Sequence, residues 1–430
     1  LKSIAVFGLG FVGLPLSLTY SLYGVKVYGV DINEDYIESL KRYETHILED
    51  YKGKTIEKIM KASIEKGLFV PTTSAKDAMA NVTEIIVTVG IPIEGNSVKT
   101  EVFGNAMETI GKNLKKRDLV LVRSTVPPGT TREVAMPILQ SASGLVCRKD
   151  FYLAYSSERI AEGNAFDEFQ TMPIAVAGID AESTKRAKDV LNIINKDVIE
   201  ASSPEIVEIS KVIENSSRDV NIALVNELAT FTEHLGVDTM EVIKVANTHK
   251  RVKLLSPGIG VGGHCIPYSS KYIFYKSDKM ELKMNLLRSA REVNDERPHE
   301  IASMIARNLE KIGKQVKGSK ASFLGIAMKD NSSDISESPV LDLMSCLQEM
   351  GVEVKWFDPN VKSNLPNNSY SLEESLKEAD AAVIAVRQDV INYDIQKMRS
   401  LMKDNPLLFD AKRLIEKREA IQLGFIYLTI

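Results

Sequence analysis

Ser3-Ile4-Ala5-Val6-Phe7-Gly8-Leu9-Gly10-Phe11-Val12-Gly13 is followed, after an apolar stretch, by Val25-Lys26-Val27-Tyr28-Gly29-Val30-Asp31. Residues 3–8 are β-branched and apolar and stop at glycine, which reads as a short buried strand; a helix over about 12–23 comes next. Gly8 permits a tight turn, Gly10 lets a pyrophosphate approach the backbone, and Gly13 allows close helix–strand packing. The helix start, at Phe11, Val12 and Gly13, offers free N–H groups to phosphates. Asp31 ends the second strand, where a carboxylate accepts from ribose hydroxyls and repels a 2′-phosphate. Ile32, Asn33 and Glu34 follow, with no Arg or Lys. The pattern implies a dinucleotide site that favours NAD over NADP. The bland readings are a flavin or nucleotide turn, or glycines that only serve packing.

Moving outward, Glu84–Val89, Asp118–Val122, Phe151–Tyr155 and Pro173–Ala177 read as further strands with helical patterns between them. Alternation of this kind predicts a parallel, doubly wound sheet. Glu205 to Leu235 contains neither Gly nor Pro, and Gly236 closes it, so one long helix is expected there. A second helical stretch covers Lys283–Gly313. Strands then return at Ala321–Gly325, Val352–Phe357, Ala379–Val386 and Leu407–Asp410, with a helix over Val340–Met350. The fold class expected is α/β: two Rossmann-like doubly wound domains joined by a helical central domain with one long helix. The boundaries expected are 1–200, 201–313 and 314–430.

The 430 residues suggest about three domains. Hydrophobic residues make up 44% and charged residues 26%, which excludes disorder and fibrous classes. A net charge of −4 gives no basic footprint for nucleic acid. Ser3 to Val25 is uncharged, but its interleaved Gly, Pro, Ser and Thr fit a dinucleotide fold better than a signal or membrane segment. Cys147, Cys265 and Cys346 are too few for a disulfide framework, and a reducing cytoplasm is the expected location. His46, His234, His249, His264 and His299 show no ligand spacing, so no metal is expected.

Four further motifs could carry chemistry. In Gly260-Val261-Gly262-Gly263-His264-Cys265-Ile266-Pro267 small neighbours would expose the thiol and let a ligand reach the backbone, making a covalent nucleophile plausible; the bland reading is a small buried hydrophobe. Lys211, Asn215 and Arg218 are spaced i, i+4, i+7 and share one helix face, where they could hold phosphate or polarise an oxyanion, or could simply be solvated. Ser124-Thr125-Val126-Pro127-Pro128-Gly129-Thr130-Thr131 and Ser156-Ser157-Glu158-Arg159-Ile160-Ala161-Glu162-Gly163 each follow a strand, where such sheets bind ligands. A Glu near a nucleophile could be a general base; each motif alone could be a turn or cap.

Taken together, GLGFVG, STVPPGTT, SERIAEG, KVIEN, GGHCIP and the late DISESP resemble the nucleotide-sugar 6-dehydrogenases of the UDP-glucose/GDP-mannose dehydrogenase family, nearly end to end. His249-Lys250-Arg251-Val252 and GGHCIP look like the branch acting on UDP-N-acetylmannosamine or UDP-N-acetylglucosamine. The resemblance implies oxidation of the sugar C6 hydroxyl to the acid with two NAD, supplying polysaccharide synthesis. It makes Cys265 the nucleophile through a thiohemiacetal and a thioester. Lys211 and Asn215 would stabilise developing negative charge, and Glu158 would assist proton transfer and hydrolysis. Thr125 would sit near the nicotinamide and a catalytic water. Arg159, Ile160, Arg218, His249, Arg251, Gly262 and Lys329 match substrate contacts, with Arg251 reaching across a dimer. Uridine would lie between domains. A homodimer through the central helix is implied, with higher assembly open.

Three positions depart from the family pattern: Ser269 stands for Asp, Ser336 for Arg, and Ile91 for Thr. They motivate an alternative, a degenerate member that binds NAD or nucleotide sugar with impaired turnover. A two-electron hydroxyacid-type dehydrogenase is a third reading, opposed by the cysteine motif.

Overall fold

A computed structural model describes residues 3–95 and 97–430. The chain divides into two compact units. One holds Leu1–Glu214 with Lys271–Leu282; the other holds Asn215–Ser270 with Lys283–Ile430.

The first unit is built on a sheet of eight strands: β1 (Ser3–Phe7), β2 (Lys26–Val30), β3 (Phe69–Thr72), β4 (Glu84–Val87), β5 (Leu119–Val122), β6 (Tyr152–Ser156), β7 (Ile174–Gly178) and β8 (Val198–Glu200). Their order across the sheet is β8-β7-β6-β5-β4-β1-β2-β3. The run β3-β2-β1-β4-β5-β6 is the doubly wound dinucleotide order, with its switch point between β1 and β4. The apolar runs of the central strands bury completely, as parallel strands covered on both faces must. Helix α1 (Gly13–Leu22) is buried nearly all round, which accounts for the uncharged stretch at the chain start.

One expectation needs correction. The sheet is not wholly parallel, because β7 runs antiparallel to β6 with Tyr155 opposite Ala177. The helix joining them, Ala165–Thr171, has seven residues. It does not carry the chain back along the sheet, and β7 re-enters from the end where β6 left.

The second unit has a five-stranded sheet: β9 (Lys320–Leu324), β10 (Glu353–Phe357), β11 (Ala381–Ile384), β12 (Leu407–Asp410) and β13 (Ile426–Leu428). Its order is β10-β9-β11-β12-β13 and every pair is parallel. Alternation sorts its residues: Phe323, Val383 and Phe409 pack on one face, Leu324, Ile384 and Leu408 on the other. Long helix α2 (Pro204–Leu235), helix α3 (Cys265–Asp278), helix α4 (Asn285–Lys311) and helix α5 (Pro339–Glu349) complete the elements that matter for the site. Among the described residues no helix is long and apolar enough to cross a membrane.

Candidate active site

In the first unit the glycine turn leaves β1 at the switch point. Gly8 has φ +88°, a conformation that disfavours a side chain, and its carbonyl accepts from Thr88 Oγ1 at 2.7 Å. A Cβ on Gly13 would stand 1.8 Å from the Gly8 oxygen, so no other residue fits. A Cβ on Gly10 would meet nothing within 4 Å, so the backbone is open there to a ligand. No side chain caps α1; Leu14 in its first turn donates to the Gly10 carbonyl at 3.1 Å and Pro15 has no N–H, so the donors open to an anion belong to the glycine turn at the helix start. Asp31 accepts from the Leu9 amide at 2.9 Å and from the Asn33 amide at 3.1 Å, which ties the carboxylate to the turn. Ile32 beside it is 91% exposed, an apolar surface for a base, and Phe11 and Tyr36 both pack on the His46 ring. These groups fit a dinucleotide: a phosphate cradle, a ribose acceptor and an apolar wall. The sequence reading missed Ile32 and His46, which carry no motif.

The Ser124–Thr131 loop is half-buried at Thr125 and anchored from α2. Glu208, wholly buried, accepts from the Gly129 amide at 2.5 Å, the Thr131 amide at 2.9 Å and Thr131 Oγ1 at 2.6 Å. Burial pushes its carboxyl above the ordinary range, against the three donors that favour its charge. Glu208 was not singled out from sequence, because one Glu on a long helix gives no signal.

Glu158 follows β6 and is buried. One oxygen accepts from Arg123 Nε at 2.9 Å and pairs with Arg123 Nη2 at 2.9 Å; the other accepts from the amides of Arg159 at 2.7 Å and Ile160 at 3.0 Å. A carboxylate has about four acceptor directions, and all are engaged, so taking up a proton means releasing one of these bonds. Arg159 and Ile160, expected as substrate contacts, lie directly beside Glu158. Their amides hold Glu158, and Arg159 Nη1 donates to the Pro173 carbonyl and Nη2 to Glu214, while its buried Nε is unpartnered. Arg123 is 1% exposed and was also missed. Glu49, buried, accepts from the amides of Gly163 at 2.7 Å and Ala165 at 3.0 Å and so fixes the far end of this loop.

In the second unit Cys265 is exposed and is the first residue of α3. Ser269, one turn on and fully buried, donates to the Cys265 carbonyl at 2.7 Å. Asn215 Nδ2 reaches the same carbonyl at 3.1 Å and Ser269 Oγ at 2.9 Å. Asn215 is therefore no part of a solvated face, and its amide donors point at the Cys265 turn. Lys211 is half-buried and Arg218 exposed on the same helix.

Close packing requires the glycines before Cys265. A Cβ on Gly262 would meet the Glu337 carbonyl at 2.6 Å and Pro339 Cδ at 2.7 Å. Gly263 has φ +75°, and a Cβ there would meet Met328 Sδ at 2.4 Å. These glycines let the cysteine segment lie against the 328–339 loop, and the Gly263 amide donates to the Ser336 carbonyl at 3.2 Å. Lys329, exposed, is on that loop, which leaves β9 at the second sheet's switch point. His249 and Arg251 are exposed together on one turn, where the Arg251 amide donates to His249 Nδ1 at 3.3 Å. Ile91, in the first unit, is 2% exposed, and its carbonyl accepts from the Tyr272 hydroxyl.

Residues 2–197 match the NAD binding domain of the UDP-glucose/GDP-mannose dehydrogenase family, residues 205–296 its central domain and residues 322–417 its UDP binding domain. The chain belongs to this family and is an NAD-dependent oxidoreductase. It is 34% identical over 425 residues to Protein CapL of Staphylococcus aureus, covering 97% of each chain. It is 31% identical over 426 residues to the UDP-N-acetyl-D-mannosamine dehydrogenase of Pyrococcus horikoshii, covering 99% of this chain and 98% of that one. The solved structure of UDP-D-ManNAc dehydrogenase from Pyrococcus horikoshii superposes with a TM-score of 0.91 at 30% identity, over 100% of this chain and 99% of that one.

Proposed function

We propose that this chain oxidises the C6 hydroxyl of a UDP-N-acetylhexosamine, with UDP-N-acetylmannosamine the favoured substrate, to the uronate. The observation that carries this reading is Cys265, an exposed thiol at the head of a helix whose first turn is braced by Ser269 and Asn215. Similarity along the whole chain to a UDP-N-acetyl-D-mannosamine dehydrogenase supports the choice of sugar.

NAD, when bound, would supply the hydride acceptor for each of two oxidations at C6. The turn at Gly8, Gly10 and Gly13 with Asp31 orients it, and Thr125 lies on the loop that follows β5. The first oxidation gives an aldehyde. The Cys265 thiolate adds to its carbon, forming a thiohemiacetal; the second oxidation gives a thioester; water releases the uronate and restores the thiol. Sulfur serves because it is both a good nucleophile and a good leaving group. Lys211 offers positive charge to the oxygen as it becomes negative. Asn215 acts mainly by holding the cysteine turn, since its donors are engaged there. Glu158 assists proton transfer during release, giving up one of the four bonds that hold it. Arg218, His249, Arg251 and Lys329 bind the nucleotide sugar. Ile206, Ile209, Ile213, Leu224 and Phe231 leave an exposed apolar stripe along α2, which supports a homodimer through that helix. A cytoplasmic location keeps the Cys265 thiol reduced.

The test is NADH absorbance with a panel of UDP-sugars. Turnover greatest with UDP-N-acetylmannosamine supports the reading. Tight sugar-nucleotide binding without any absorbance change overturns it in favour of a degenerate binder.

A further inference from the structure

The segment that presents Cys265 has little of its own to hold it. Gly258, Gly260, Gly262 and Gly263 precede the thiol, and glycine gives up more backbone freedom on folding than any other residue. Something must fix the two ends of this segment.

A buried polar chain does so. Asp219 on α2 is 1% exposed. Its Oδ2 accepts from Ser270 Oγ at 3.1 Å, just beyond Cys265 in α3. Its Oδ1 accepts from Arg291 Nη1 at 2.6 Å and from Asn294 Nδ2 at 2.7 Å, both on α4. Asn294 Oδ1 accepts from Asn226 Nδ2 at 2.9 Å, and Asn226 Oδ1 accepts from the Gly258 amide at 2.8 Å. Gly258 and Ser270, on opposite sides of the cysteine, are thus the two ends of one continuous chain of buried groups. Asn226, Asn294 and Ser270 are each at most 1% exposed. A buried network in which Asp219, Asn226 and Asn294 all find partners selects one arrangement, because any other leaves a carboxylate or amide unpaired away from water.

We propose that Asp219 and Asn226 are positioning residues that fix the Cys265 segment through Ser270 at one end and Gly258 at the other. The proposal rests on the reading of Cys265 as the nucleophile. The residues touch no reacting atom; they set where the thiol stands.

Ser270→Ala and Asn226→Ser cut the two ends separately without removing a charge. Hydrogen exchange and steady-state kinetics test both, alongside Asp219→Ala and Asp219→Asn. Amide exchange across 258–270 should rise about 10-fold in each end variant, as loss of one buried hydrogen bond implies, with β9–β12 unchanged. The kcat should fall by up to about 100-fold with KM for NAD unchanged, as misplacement of a reacting group does. Asp219→Asn, which keeps an acceptor for Arg291 and Asn294, should retain more activity than Asp219→Ala. The proposal is overturned if exchange in the segment stays at the wild-type rate, if it rises equally throughout the chain, or if both end variants keep wild-type kcat. Should Cys265→Ser still form the uronate, the nucleophile reading fails, and exchange alone still decides whether the network fixes the segment.

Discussion

Asn215 Nδ2 lies 2.9 Å from Ser269 Oγ, and both groups close on the Cys265 carbonyl, Asn215 at 3.1 Å and Ser269 at 2.7 Å. A carbonyl only accepts, so the amide nitrogen must face it, and the serine hydroxyl must accept from Asn215 while donating to Cys265. Ser269→Ala would leave one buried Asn215 donor unpaired. We expect a loss of about 1–3 kcal/mol in chemical unfolding, with lower kcat and an unchanged KM for NAD. Wild-type stability in that variant would show that the triangle holds nothing.

The two loop glycines should separate packing from cofactor binding. Gly13→Ala puts a methyl against the Gly8 carbonyl and should misfold the turn. Gly10→Ala meets no protein atom and should fold normally, yet weaken NAD roughly 10-fold or more by standing where phosphate approaches. Calorimetric titration with NAD checks this; equal NAD affinity in Gly10→Ala and wild type would place the cofactor elsewhere.

Much of this was legible in the sequence because the central strands are covered on both faces and must be apolar. β1, β2, β4, β5 and β10 to β12 fell within the expected stretches, and β6, β7 and β9 were each offset by one residue. The strands left unread, β3, β8 and β13, are each at a sheet edge and only three or four residues long. Pro71 inside β3 is tolerated only because an edge strand has one unpaired side. At the site, residues in glycine or nucleophile motifs were readable. Arg123, Glu208, Asp219 and Glu49 were not, because each acts through a partner distant in sequence. The glycines of GGHC were seen, but not the loop more than sixty residues later that crowds them.

Arg123→Met tests the buried pair with Glu158. Removing one partner strands a buried charge and should destabilise by about 3–5 kcal/mol in denaturant unfolding. The double variant Arg123→Met with Glu158→Leu should regain most of that stability but not turnover. Recovery of both would reduce Glu158 to a purely structural role.

Glu208 gives a pH dependence of definite sign. Burial holds its folded carboxyl above the unfolded value of about 4.3. Such a group contributes stability that is fully present below the unfolded value and is lost as pH rises through the folded one. The stability advantage of wild type over Glu208→Gln should therefore be largest near pH 4 and narrow toward pH 7. Denaturant midpoints of both proteins across that range decide it, and an advantage that grows toward neutrality would reverse the assignment.

The most direct test of the thiol's role is the ratio of NADH formed to UDP-N-acetylmannosamine consumed, with the product identified by mass spectrometry. Passage through a Cys265 thioester requires about two NADH per sugar and a uronate product, and Cys265→Ser should form no acid. One NADH per sugar with free aldehyde released, or full acid formation by Cys265→Ser, would contradict it.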